Sequence, residues 1–102
     1  VKILHLTLKK KWFDMIASGE KKEEYREIKG YWEKRLYYNT SKGQPKEWDV
    51  IRFRNGYSKQ CPIMDVEWKG TWLDEGRPEW GAESGEKYFV ILIGKIISIT
   101  HQ

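Results

Sequence analysis

At 102 residues the chain reads as one domain, residues 1–102, with enough apolar content for a core but no room for a second unit. Lys and Arg total 19 against 15 Asp and Glu, a formal charge of +4 that biases encounters toward anionic partners. The lone Cys61 excludes an internal disulfide and a cysteine-based zinc site, two distant histidines argue against any metal or cofactor, and residues 89–93 are too short to span a bilayer, so a cytoplasmic monomer or weak dimer is expected.

Residues 3–8 alternate, with Leu4, Leu6 and Leu8 on one face and His5 and Thr7 on the other, which predicts a first strand. Trp12, Phe13, Ile16 and Ala17 then recur at helical spacing, so a helix is expected over 9–18, with Thr7 as a cap and Gly19 closing it. Lys9, Lys10 and Lys11 fall in its first turn, where the macrodipole disfavours cations. Either they form a solvated cluster or, beside free amides, they hold a phosphate.

From Lys21 the residues alternate as a strand would, placing Lys22, Glu24 and Arg26 on one face and Lys21, Glu23 and Tyr25 on the other. Glu24 and Arg26 can therefore pair or grip one polar ligand, although on spacing alone a surface ion pair worth little is the simpler account. Residues 31–36 read as one or two helical turns, and the turn-rich stretch 39–46 as a mobile loop.

Residues 49–54 predict a strand with Ile51 and Phe53 inward and Arg52 and Arg54 together on the outer face. Asn55-Gly56 is a hairpin signal, with Tyr57 opening the return. Met64, Val66, Trp68 and Trp72 mark a half-buried strand with a bulge at Gly70, and residues 73–86, holding Trp80, read as a long irregular connection of the kind that carries binding residues. Residues 88–93 and 96–99 are apolar on both faces around Gly94, as a bent central strand would be. Strands outnumber helices, so a compact α+β fold is expected. Six tryptophans exceed what a small core needs, which sends some rings to a surface or pocket.

The spacing Gly-x-Lys-x-x-Glu-x-Arg over Gly19, Lys21, Glu24 and Arg26 resembles the signature of the ASCH (ASC-1 homology) domain family, small β-barrels of the PUA-like superfamily associated with RNA. The likeness extends to the leading strand and helix, to residues 49–56, and to Tyr88-Phe89-Val90-Ile91 with Gly94. Trp80-Gly81-Ala82-Glu83 is similar to short bacterial and phage-encoded members. The resemblance implies a barrel of about five or six mixed strands with one main N-terminal helix and one or two short ones. It also implies a cleft lined by Lys21, Glu24 and Arg26 that takes RNA or a nucleotide-like ligand. By analogy with PUA-like modules that hold a modified base, Trp68, Trp72 and Trp80 are candidate stacking rings.

Some ASCH-like enzymes hydrolyse the acyl amide of N4-acetylcytidine with a lysine matching Lys21 and a threonine matching Glu24. This chain has a carboxylate there, and a carboxylate between two cations is a better ion-pair partner than base. The expectation is therefore an RNA- or modified-nucleotide-binding module using Lys21, Glu24, Arg26, Arg52, Arg54, Tyr57, Trp80, Lys9 and Lys11. The alternatives are an amidohydrolase with Lys21 and Glu24 as its catalytic pair, and a protein-interaction module.

Overall fold

In the computed structural model, which describes residues 1–101, Leu4, Leu6 and Leu8 of strand β1 (Ile3–Leu8) enter the core while His5 faces solvent. Gln102, the last residue of the expected domain, lies outside the described residues. Helix α1 (Lys10–Ala17) follows, burying Phe13 and Ile16 from its apolar face. Thr7 does not cap it: Lys9 is the N-cap residue, without a side-chain bond, and Thr7 still belongs to β1. Gly19 closes the helix at φ +86°, a conformation costly for any residue with a Cβ, and donates its N–H to Ile16 O at 3.0 Å.

Strand β2 (Glu23–Arg26) and helix α2 (Gly30–Leu36) lead into a ribbon of β3 (Tyr37–Asn39) and β4 (Gln44–Pro45). Residues 39–46, expected as an open loop, thus contain a short antiparallel pairing, anchored because Tyr37 is buried with its ring 5.4 Å from that of Phe89. Strands β5 (Val50–Asn55), β6 (Ile63–Glu75) and β7 (Lys87–Thr100) complete the chain. Asn55-Gly56 opens the connection between the antiparallel strands β5 and β6, as expected, but not as a two-residue turn. Residues 56–62 intervene, and Gly56 turns at φ +89° to donate its N–H to Leu8 O at 3.0 Å. β6 continues to Glu75, so the irregular connection is shorter than expected, and β7 runs unbroken through Gly94.

Five strands form one mixed sheet in the order β1-β5-β6-β7-β2, with β1 parallel to β5 and the other pairs antiparallel. The register of β6 against β7 shifts between Asp65 and Gly70, including at the expected Gly70 bulge, and such shifts bend strands. Each long strand therefore serves two parts of the sheet: β5 pairs with Ile63 to Glu67 of β6, whereas β2 pairs with Phe89 to Leu92 of β7. β1 and β2 are the end strands, and no backbone ladder joins them among the described residues. Ile51, Phe53, Met64, Val66, Phe89 and Ile91 are wholly buried between the bent sheet and the helices, and each contributes about 1.5–3 kcal/mol. No helix among the described residues is long and apolar enough to cross a membrane.

Candidate functional site

The register of β2 decides where its charges go. Glu24 lies opposite Ile91 and Arg26 opposite Phe89, and directly opposed residues share a face. Ile91 and Phe89 are core residues, so both charged side chains point inward at the end of the sheet. A charge so placed is destabilising unless it is paired.

Glu24 meets that demand with both oxygens. Its Oε2 accepts from Arg26 Nη2 at 2.7 Å, and its Oε1 lies 3.2 Å from Lys21 Nζ. The same Arg26 nitrogen donates to Thr7 O at 3.1 Å, and the guanidinium sits 4.9 Å from the centre of the Trp32 ring. Arg26 Nε is buried and has no acceptor among the described residues. One carboxylate thus serves two cations, and the surplus positive charge reaches the surface through Arg26.

Lys21 is only 2% exposed. Its ammonium donates to Trp80 O at 2.5 Å and lies 4.9 Å from the Trp12 ring and 5.0 Å from the Tyr25 ring. Burial pushes its pKa down, Glu24 opposes that shift, and Arg26 reinforces it. The expected alternation fails here. β2 begins at Glu23, so Lys21 belongs to the preceding turn and joins Glu24 rather than Glu23 and Tyr25. Tyr25 holds the lid of this enclosure: its hydroxyl donates to Glu23 Oε1 at 2.7 Å and accepts from Arg77 N at 3.0 Å.

A cleft of about 370 Å³ opens at the seam between β1 and β2. Thr7, Lys9, Trp12, Glu24, Arg26, Gly56 and Tyr57 are among its lining residues. Lys9 is exposed at the start of α1, and Tyr57, 91% exposed, is free to offer its ring. A larger groove of about 900 Å³ is lined by Glu27, Glu83 and Glu86 together with Tyr25, Tyr88 and a single cation, Lys87, so its formal charge is negative. Its carboxylates repel phosphate, so the smaller cleft is the better candidate for an anionic ligand.

The structure therefore brings Glu24, Arg26, Lys9 and Tyr57 to one cleft and encloses Lys21 behind it. Arg52 and Arg54 share a sheet face as expected, but neither is among the cleft's lining residues. Arg52 makes a bidentate pair with Asp65 at 2.8 and 2.9 Å, which raises its pKa, and Arg54 donates to Ser58 O at 3.0 Å. Lys11 stands 4.7 Å from the Trp12 ring. Trp80 contributes its carbonyl to Lys21 while its ring carries Arg77 at 4.8 Å. Trp68 bonds to Thr71 Oγ1 at 3.0 Å, and neither it nor Trp72 is among the cleft's lining residues. Trp12 and Trp32, which touch the charged cluster, were not singled out from sequence, because helical spacing reads the same whether a ring packs on Leu or on a cation.

No protein-family model, curated protein or solved structure matched the chain.

Proposed function

We propose that the chain is an ASCH-type, PUA-like module that binds single-stranded RNA or a modified nucleotide in the cleft between β1 and β2. The observation that carries this reading is Arg26, which lines the cleft, has a buried Nε with no acceptor among the described residues, and is held in place by Glu24, Thr7 and Trp32. A planar cation so fixed suits a phosphate or a base edge. Lys9 adds charge at the rim, and Tyr57 offers a face on which a base can stack. The bent sheet, with a side chain bridging its two ends, is consistent with the barrel architecture that this family resemblance implies.

Enclosure of Lys21 favours binding over hydrolysis. A catalytic lysine must reach the scissile group, and this one is sealed by Trp12, Tyr25, Glu24 and the Trp80 carbonyl.

The test is titration of a short single-stranded RNA at several salt concentrations. Each phosphate neutralised contributes about −0.7 to the log-log salt slope. Tyr57→Ala is expected to weaken binding by about 1–3 kcal/mol with an unchanged melting temperature, since the ring is exposed. A flat salt slope, or full affinity in Tyr57→Ala, would remove the reading. Release of cytidine from N4-acetylcytidine by the wild-type chain would replace it with the hydrolase.

A further inference from the structure

A second basic and aromatic groove lies on another face of the molecule. Tyr31, Lys34 and Arg35 stand at i, i+3 and i+4 on α2 and so share one face of that helix. The segment after β4 forms the facing wall, tied to the end of α2 by the bond from Lys46 N to Leu36 O at 2.8 Å. Tyr31, Lys34, Arg35, Lys46 and Trp48 enclose about 340 Å³, and no carboxylate is among these lining residues.

Two features ask for an anion there. Trp48 Nε1 is buried without an acceptor among the described residues, and an indole N–H can only donate. Nor do the three cations pair with a carboxylate among the described residues. Arg35 makes one long contact, 3.4 Å, to His5 O, and Lys46 lies 5.8 Å from the Tyr38 ring. The end of a helix explains cations at Lys34 and Arg35 but not at Lys46, which lies in the connection after β4. Tyr31 is 65% exposed and held edge-on by Trp32 at 4.8 Å, so it presents an ordered ring to solvent.

We infer that the groove between α2 and the β4–β5 connection is a separate nucleotide subsite, taking a phosphate on Lys34, Arg35, Lys46 and the Trp48 indole N–H, with the attached base against Tyr31. The groove shares no lining residue with the cleft between β1 and β2.

The probes are 5′-AMP and inorganic phosphate, titrated into nitrogen-15-labelled chain while the Trp48 indole N–H signal, assigned by its loss in Trp48→Phe, is followed by NMR. Both probes are expected to shift that signal saturably, with AMP binding more tightly. Lys34→Ala/Lys46→Ala is expected to weaken both by at least about tenfold, and Tyr31→Ala to weaken AMP alone. The control Lys22→Ala/Lys95→Ala removes the same charge at exposed positions elsewhere and is expected to leave both titrations unchanged. The other indole signals, held in place, report that each variant is folded. An absence of saturable shift overturns the inference, as does an equal loss in the control. Phosphate binding as tightly as AMP overturns the assignment to a nucleotide.

Discussion

Arg26 and Thr7 belong to strands at opposite ends of the sheet, yet Nη2 of one lies 3.1 Å from the carbonyl oxygen of the other. A side chain here does what a backbone ladder does elsewhere. Because that one nitrogen also serves Glu24 while the guanidinium rests 4.9 Å from the Trp32 ring, Arg26→Lys should keep a charge near the carboxylate but lose the planar group that holds the donor between its two partners. The expected loss is about 1.5–3 kcal/mol in denaturant unfolding, with faster amide exchange along β1 and β2. Unchanged stability and exchange would show that the seam is closed without Arg26.

Glu24→Ala should be the most damaging charge deletion, because it strands two cations that are largely buried. Breaking a buried pair from one side costs about 3–5 kcal/mol. Asp65→Ala, which frees the one-third-exposed Arg52, should cost about 0–1 kcal/mol. If enough Glu24→Ala folds to be assayed, it should bind RNA more weakly although it is the more positive protein, since Arg26 is no longer aimed. Similar destabilisation in the two variants, or tighter binding by the first, would contradict this account.

Stability should change shape in the alkaline range. Burial holds the Lys21 pKa below its ordinary 10.5, so the folded state binds fewer protons than the unfolded state between the folded pKa and 10.5. Stability therefore rises with pH across that window. Burial acts oppositely on Tyr25, raising its phenol above the ordinary 10.0. The folded chain then keeps a proton that the unfolded chain loses, and stability falls as pH climbs past 10.0. Unfolding measured from about pH 8 to 11 should lose the rise in Lys21→Met and the fall in Tyr25→Phe. A Lys21→Met profile parallel to wild type would refute the assignment.

Gly81 turns at φ +104°, and a Cβ placed there would come 3.0 Å from the Trp12 ring. Gly81→Ala should cost about 1–2 kcal/mol in backbone strain and displace the neighbouring Trp80 carbonyl from Lys21. An amine-acylating reagent followed by peptide mass analysis gives the readout. Lys9 and Lys11 should be labelled in both proteins, and Lys21 only in the variant. Ready labelling of Lys21 in the wild type would mean that the enclosure is open in solution.

Much of the scaffold was legible because single residues announced it: the Leu4, Leu6, Leu8 alternation, the apolar stripe of α1, Gly19 as its stop, and Gly70 at a bulge. The misses share one cause, long-range contact overriding local pattern. Gly56 turns onto Leu8, so the expected β5–β6 hairpin closes through a longer loop, and Tyr37 pins a ribbon that its turn-rich neighbours did not suggest. At the site, the pairing of Glu24 with Arg26 followed from spacing, whereas the position of Lys21 depended on where β2 begins. Trp12 and Trp32 were hidden because a ring over a cation leaves the same periodicity as a ring in a core.

The sheet order also bears on the sequence of events during folding. β6 and β7 are neighbours in sequence and pair along most of their length, whereas β1 with β5 and β2 with β7 must close much longer stretches of chain. Loop-closure entropy favours the hairpin as the early structure, and the end strands dock onto it afterwards. The seam that holds Arg26 and Thr7 is then among the last contacts to form. A nascent or partly unfolded chain would display the β6–β7 hairpin without the cleft, so the ligand binding proposed for that cleft would be confined to chains that have finished folding.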